Sequence, residues 1–167
     1  MDLVLYASLC PKGTEHNAVY ALLAQAVSQE QNLPSLPEIA RECGGKPYFP
    51  SHPDLHFNLS HSHGGIVCAL HDKPVGIDIE KLRPAPRRLA SGMRDEEFFR
   101  LWTAREASVK REGQGIAKLL RFPNPDPLCQ TLDGLLPGYI ITVCPSEETR
   151  IRTVIIACGN DKTPRNY

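Results

Sequence analysis

The segment VGIDIEKL, residues 75–82, reads as a strand with two chemically opposite faces. Side chains alternate along a strand, so Ile77 and Ile79 point one way and Asp78 and Glu80 the other. The apolar face demands cover from other protein. The acidic face admits two readings: a solvated exterior, or a site where water or a cation screens two neighbouring negative charges. Such a strand fits a layered fold with a sheet packed on something else, and the rest of the chain supplies the layers.

LVLYASL (3–9) is predicted as a strand ended by Pro11 and Gly13. Thr14 is placed to N-cap a helix running through residues 16–31, with apolar residues at 19, 22, 23, 26 and 27. Pro34 and Pro37 break it, and LPEIARECGG (36–45) is predicted as a short helix stopped by Gly44 and Gly45. After a Pro-rich turn region, FNLSHS (57–62) and GIVCALH (65–71) read as strands. The turn HDKP (71–74) returns the chain into VGIDIEKL, so 65–80 is predicted as a β-hairpin. RPAPRR (83–88) reads as a loop. DEEFFRLWTAREASVKRE (95–112) is the strongest helix, with acids in its first turn, bases near its end and Gly113 beyond. YIITVC (139–144) and IRTVIIAC (151–158) are predicted as a final hairpin. The class is α+β, helices on antiparallel sheet.

A chain of 167 residues suits one domain or two small, closely packed halves. It can bury about 68–70% of its unfolded surface, so it needs no disulfide staples. Lys plus Arg and Asp plus Glu both number 19, and a net charge of zero argues against broad nucleic-acid binding. The six cysteines are widely spaced with no C-x-x-C pair, and reduced thiols are expected. Cys68 and Cys158 fall in apolar runs and read as core packing. MDLVLYASLCPKGTEHN has no basic region ahead of its apolar run, and no apolar stretch approaches membrane-spanning length, so a cytoplasmic protein is expected.

In the 95–112 helix, Glu106 and Lys110 are four residues apart and share a face with Trp102. The plain reading is a surface ion pair worth about 0.3–0.5 kcal/mol. A tryptophan on the same stripe marks the side that faces protein. If this face meets Asp78 and Glu80, three carboxylates converge, which a cation between them makes tenable. Oxygen ligands without thiolate favour a hard ion, Mg²⁺ over zinc. Lys110 would then neutralise phosphate charge, and the set points to phosphoryl or phosphodiester chemistry. A zinc pair at His61 and His63 is a weaker reading, because His52, His56 and His71 lack a matching spacing. Ser60 and His61 point apart as strand neighbours and read as separate substrate contacts. Lys46 lies between Gly45 and Pro47, a backbone fixed for close approach of a ligand.

GKP (45–47), FNLSHS (57–62), GIDIE (76–80) and FFRLWTAREASVK (98–110), followed by REGQGI, resemble in order and approximate spacing the 4′-phosphopantetheinyl transferases of the Sfp type. The resemblance covers residues 45–116. It implies an enzyme that moves the phosphopantetheine arm of coenzyme A onto a serine of an acyl or peptidyl carrier protein, releasing adenosine 3′,5′-bisphosphate. It places metal ligands at Asp78, Glu80 and Glu106, and the motif lysine at Lys110 beside the pyrophosphate. Ser60 and His61 fall on the family's serine–histidine pair, the histidine near the ribose 3′-phosphate. Gly45, Lys46 and Pro47 fall near the adenine and 3′-phosphate. Arg105 stands where the family usually has lysine, and only Lys12 and His16 supply basic groups near the first helix.

The implied fold is two similar α+β halves forming a pseudo-dimer, here 1–74 and 75–167, with coenzyme A in the cleft between them. A monomer is expected, with Mg²⁺ as cofactor and no nucleic-acid or membrane partner. Glu106, directly or through water, is the candidate base for the incoming serine. Two other readings stay open: a noncatalytic coenzyme A or carrier-protein binding module, and a Mg²⁺-dependent phosphohydrolase.

Overall fold

The computed structural model describes residues 1–90, 92–113 and 124–157, and the backbone of 165–166. In chain order the elements are β1 (Leu3–Leu9), α1 (Glu15–Gln31), β2 (Ala40–Arg41), β3 (Pro47–Tyr48), β4 (His56–Ser62), β5 (Gly65–His71) and β6 (Val75–Lys81). There follow α2 (Arg87–Ala90), α3 (Asp95–Arg111), β7 (Gln130–Thr131), β8 (Tyr139–Pro145), β9 (Ile151–Ile156) and β10 (Arg165–Asn166). Among the described residues the strands form a five-stranded sheet, β10-β9-β1-β5-β4, a three-stranded sheet, β6-β8-β7, and the small pair β2-β3. The α+β class is as the sequence reads. No helix among the described residues is long and apolar enough to cross a membrane.

The alternation along β1 shows how the layers stack. Val4 and Tyr6 join Val19, Leu23 and Val27 of α1 in one core. Leu3, Leu5 and Ala7 face the other way, onto Ile77, Ile79, Ile141 and Val143 of the three-stranded sheet. A third cluster, Phe98 and Phe99 of α3 with Ile140, covers the far side of that sheet. The two sheets therefore pack face to face, with α1 outside one and α3 outside the other. Gly76 lets α3 come close: a Cβ there would lie 1.9 Å from the Ala107 carbonyl oxygen. Gly76→Ala should cost about 3 kcal/mol of stability, since the obstacle is backbone in a packed helix. Urea denaturation measures it.

Several sequence expectations need correction. Residues 36–45 form no helix; Ala40–Arg41 pairs antiparallel with Pro47–Tyr48. Gly45, at φ 84°, turns the chain back so that the two short segments pair as strands instead. β5 and β6 are not a hairpin. β5 is already paired on one edge with β4 and on the other with β1, so β6 enters the second sheet. The hairpin in this region is β4–β5. Its two-residue turn, His63-Gly64, has positive φ at both positions (47° and 86°), the backbone twist such loops require.

β8 and β9 are not a hairpin either. β8 pairs with β6 and β7, whereas β9 runs parallel to β1, which makes the five-stranded sheet mixed. A short helix, α2, begins inside the expected loop 83–88, with Pro86 at its front. Thr14 does precede α1, but its hydroxyl bonds back to the Pro11 carbonyl and caps no helix N–H. Cys68 is fully buried in the first core; Cys158 and residues 114–116 of the REGQGI run lie outside the described residues.

Candidate functional site

β6 is the edge strand of its sheet, and an edge leaves backbone donors without ladder partners. β4 covers it with a comb of polar side chains at every second residue. Asn58 Oδ1 accepts the Ile77 N–H at 3.0 Å. Ser60 Oγ donates to Asp78 Oδ1 at 2.8 Å, and Ser62 Oγ donates to Glu80 Oε2 at 2.7 Å. Ser62 Oγ also accepts the Lys81 N–H at 3.4 Å. The acidic face of the strand is therefore not a solvated exterior: Asp78 is only 3% exposed.

α3 approaches from the other direction and brings Glu106 and Lys110, one turn apart. The Lys110 ammonium donates to Asp78 Oδ1 at 2.6 Å and to Ser60 Oγ at 3.0 Å. Its distance to Glu106 Oε2 is 3.6 Å. The Glu106 carboxyl sits close enough to Asp78 to feel its charge. Burial, and then the Asp78 charge, push the Glu106 pKa up to about 7. Burial also raises Asp78, with Lys110 and Ser60 opposing it. Burial alone would depress Lys110, but Asp78 and Glu106 outweigh it and hold the ammonium charged. Glu80 is engaged by Arg83 at 2.7 Å, whose guanidinium lies 4.6 Å from the Phe99 ring centre.

A cavity of about 340 Å³ opens over this cluster. Gly45, Lys46, Pro47, His61, Glu106 and Lys110 all line it, together with His16, Tyr20 and Arg41. Ser60 and Asp78 sit behind Lys110 and connect to the cavity through its ammonium. The β2–β3 turn reaches the site because Gly44 packs against α3: a Cβ there would lie 2.0 Å from the Gly113 carbonyl oxygen. Lys46 Nζ donates to the Arg111 carbonyl at 2.6 Å, satisfying an orphan carbonyl at the end of α3. Burial holds its pKa below the usual lysine value. His61 is exposed on the opposite face of β4 from Ser60, as strand alternation requires. His63 falls in the turn beyond β4, so it does not share a strand face with His61.

The residues present can be tested against a hard divalent cation. Asp78 Oδ2 is buried without a hydrogen-bond partner, beside the raised Glu106 carboxyl. Two carboxylates in this setting, one with an oxygen short of a donor and one whose ionisation burial opposes, fit an ion such as Mg²⁺, which takes one or two carboxylates and keeps water. Among the described residues no three His, Cys, Asp or Glu side chains form a group that could hold a metal ion; Glu80 is bonded to Ser62 and Arg83.

Asn58, Ser62, Arg83, Tyr20 and Arg41 are the site residues that sequence reasoning misses. The period of two in N-L-S-H-S carried a signal for Asn58 and Ser62, a polar comb matched to the acids of β6. Arg41 had none, since its segment reads as helix.

Comparison with known proteins locates relatives of this chain. It is 37% identical over 89 residues to 4′-phosphopantetheinyl transferase Sfp of Bacillus subtilis, covering 44% of this chain and 40% of that protein. It is 33% identical over 153 residues to 4′-phosphopantetheinyl transferase psf-1 of Bacillus pumilus, covering 71% of this chain and 65% of the relative. To the 4′-phosphopantetheinyl transferase AcpT of Salmonella typhimurium it is 38% identical over 110 residues, with 54% and 57% covered. The matched region thus spans between 40% and 65% of the length of these relatives. No protein-family model matches the chain.

Proposed function

We propose that this chain, which is related in sequence to the Sfp-type 4′-phosphopantetheinyl transferases, moves the phosphopantetheine arm of coenzyme A to a serine hydroxyl of an acyl or peptidyl carrier protein. The observation that carries the reading is the contact of Lys110 with Asp78, Ser60 and Glu106 at a cavity also bordered by Gly45, Lys46, Pro47 and His61. One cation against several acids at an open cavity suits an anionic substrate that arrives with metal.

Asp78 and Glu106 would hold Mg²⁺, with Glu80 beside them. When bound, the ion supplies Lewis acidity toward pyrophosphate oxygens. Lys110 offsets negative charge developing on the leaving phosphate, a contribution that a preorganised ammonium makes without reorganisation. Glu106 takes the proton of the incoming serine as its oxygen bonds to phosphorus and the pyrophosphate bridge breaks, freeing adenosine 3′,5′-bisphosphate. Ser60 steadies Lys110 and Asp78 together. His61 and the Gly45-Lys46-Pro47 turn border the nucleotide end of the substrate.

The proposed architecture behind this site is two similar halves, 1–74 and 75–167, forming a pseudo-dimer within one chain. Each contributes a 17-residue helix on the outside of a sheet, and β9 crosses back to pair with β1. A monomer in the cytoplasm, without nucleic-acid or membrane partners, goes with this reading.

Incubation with coenzyme A, Mg²⁺ and an apo carrier protein tests it by mass. A carrier heavier by one phosphopantetheine arm is the expected result. Coenzyme A consumed without a carrier would mark a phosphohydrolase. Coenzyme A bound but unchanged would mark a noncatalytic module, and either outcome overturns the proposal.

A further inference from the structure

Behind α3, on the side turned from the cavity, two cysteines meet at one hydroxyl. Ser108 Oγ lies 3.1 Å from Cys129 Sγ and 3.8 Å from Cys144 Sγ. The ladder between β7 and β8 explains the approach: Gln130 is opposite Val143 and Thr131 opposite Thr142. Cys129 directly precedes β7, and carrying the register one step past the strand would set it across from Cys144. Directly opposed residues on antiparallel strands have Cα atoms about 4.5–5.5 Å apart, inside the roughly 4.4–6.8 Å that a disulfide spans.

We infer that Cys129 and Cys144 are a redox-active thiol pair, converted to an intramolecular disulfide by small disulfides of the glutathione type. The inference does not rest on the transferase reading.

The surroundings divide the work between the two thiols. Cys129 is half-buried, within reach of a small reagent, whereas Cys144 is buried. The nearby Cys144 thiol, and then Ser108, hold the Cys129 thiol below its usual pKa, while Cys129 Sγ lies 3.4 Å from the Ala104 carbonyl oxygen. The adjacent Cys129 and burial push the Cys144 thiol up. Arg111 Nη1 approaches Cys144 Sγ at 3.5 Å while its Nη2 pairs with Asp126 at 2.8 Å, so a guanidinium stands beside the pair. A thiolate is the nucleophile in such exchange, and a lowered pKa with partial access defines the attacking sulfur.

The chemistry balances without further reagents. Cys129 thiolate attacks one sulfur of the small disulfide, forming a mixed disulfide and releasing one thiol, which takes the Cys129 proton. Cys144 then attacks the Cys129 sulfur. A second small thiol leaves with the Cys144 proton, and the two electrons given up by the pair have reduced the reagent.

The test uses the whole chain, incubated with glutathione disulfide, alkylated and digested without reduction. The expected product is the peptide bearing residue 129 linked to the peptide bearing residue 144, in a protein lighter by two hydrogens. Cys144→Ser should instead trap one glutathione on Cys129; the map of the unaltered chain stands even if that variant folds poorly. Both cysteines remaining reduced while the exposed Cys43 takes up glutathione would overturn the inference. So would Cys129 keeping its glutathione in the unaltered chain, with no link to Cys144.

Discussion

Glu106→Gln should lose at least about 100-fold in transfer at saturating Mg²⁺, the usual scale for a general base, and the metal-free variant should be more stable than its parent at pH 8. The second effect follows from the raised carboxyl. Its pKa moves from 4.5 to about 7 because burial and the Asp78 charge oppose ionisation. Below about pH 4.5 both folded and unfolded chains hold this proton, and the group is neutral to stability. Between 4.5 and 7 the folded chain keeps a proton that the unfolded chain has released, so stability falls as pH rises. Above 7 the full penalty is reached, about 3 kcal/mol from the size of the shift. Glutamine never ionises and escapes it. Urea denaturation at pH 5 and pH 8 reads the difference: parent and variant should converge at the lower pH and separate at the higher. Equal stability at both would sink the assignment of the shift, and near-normal turnover would sink the role as base.

Parent and variant also bear on the metal. A divalent cation held between two carboxylates would offset their mutual repulsion, so Mg²⁺ should stabilise the parent most at pH 8, where the free acids repel each other most. The residues whose mutual repulsion costs stability are those proposed to hold the ion. A site of this kind stores its cost in the unliganded protein.

What could be read in the sequence divides along physical lines. Strand and helix segments with a clear period, such as Ile77 and Ile79 against Asp78 and Glu80, or the Trp102–Glu106–Lys110 stripe, were legible because alternation and helical spacing are local. Their convergence was a conditional expectation, with a metal ion between the acids and Lys110 kept for phosphate; that the Lys110 ammonium itself bonds Asp78 is seen only in the structure. Strand pairing was not legible. Two apolar strands joined by a short turn look like a hairpin, but β5 had both edges taken, one by its neighbour β4 and the other by β1, whose residues lie 56–66 positions away. The same holds for β9, whose partner is the first strand of the chain. Cys129 and Cys144 show the limit in another form. Their separation in sequence carries no spacing signal, and only the fold brings both sulfurs to Ser108.

The polar comb on β4 makes the β6 edge more than a passive boundary. Asn58, Ser60 and Ser62 satisfy backbone and side-chain groups of the second sheet from the first. Their removal would expose polar groups in a packed layer, so this row fixes how the sheets register. The Gly44 and Gly76 contacts fix the helix on the other side. Lys110 sits where these constraints meet, and its position is determined from both directions.

Lys110→Met should therefore be the most destabilising single change at the site, by about 3–5 kcal/mol near pH 8. Its ammonium is the only charged partner bonded to Asp78 among the described residues, and removing one member of a buried pair strands the other. Asp78 Oδ2 is already without a donor, so the loss leaves Ser60 alone to support a carboxylate that is 3% exposed. As pH falls Asp78 takes up a proton and the deficit should shrink, because the neutral acid no longer needs a cation. Adding Asp78→Asn to Lys110→Met should recover most of the stability, and the double-mutant cycle then yields the coupling between the two groups. Transfer activity should not return with it, since the recovered protein has lost both a proposed metal ligand and the cation beside the leaving phosphate. A Lys110→Met protein within about 1 kcal/mol of its parent at pH 8 would mean that Asp78 already carries a proton there, and that the ammonium does not hold the site together.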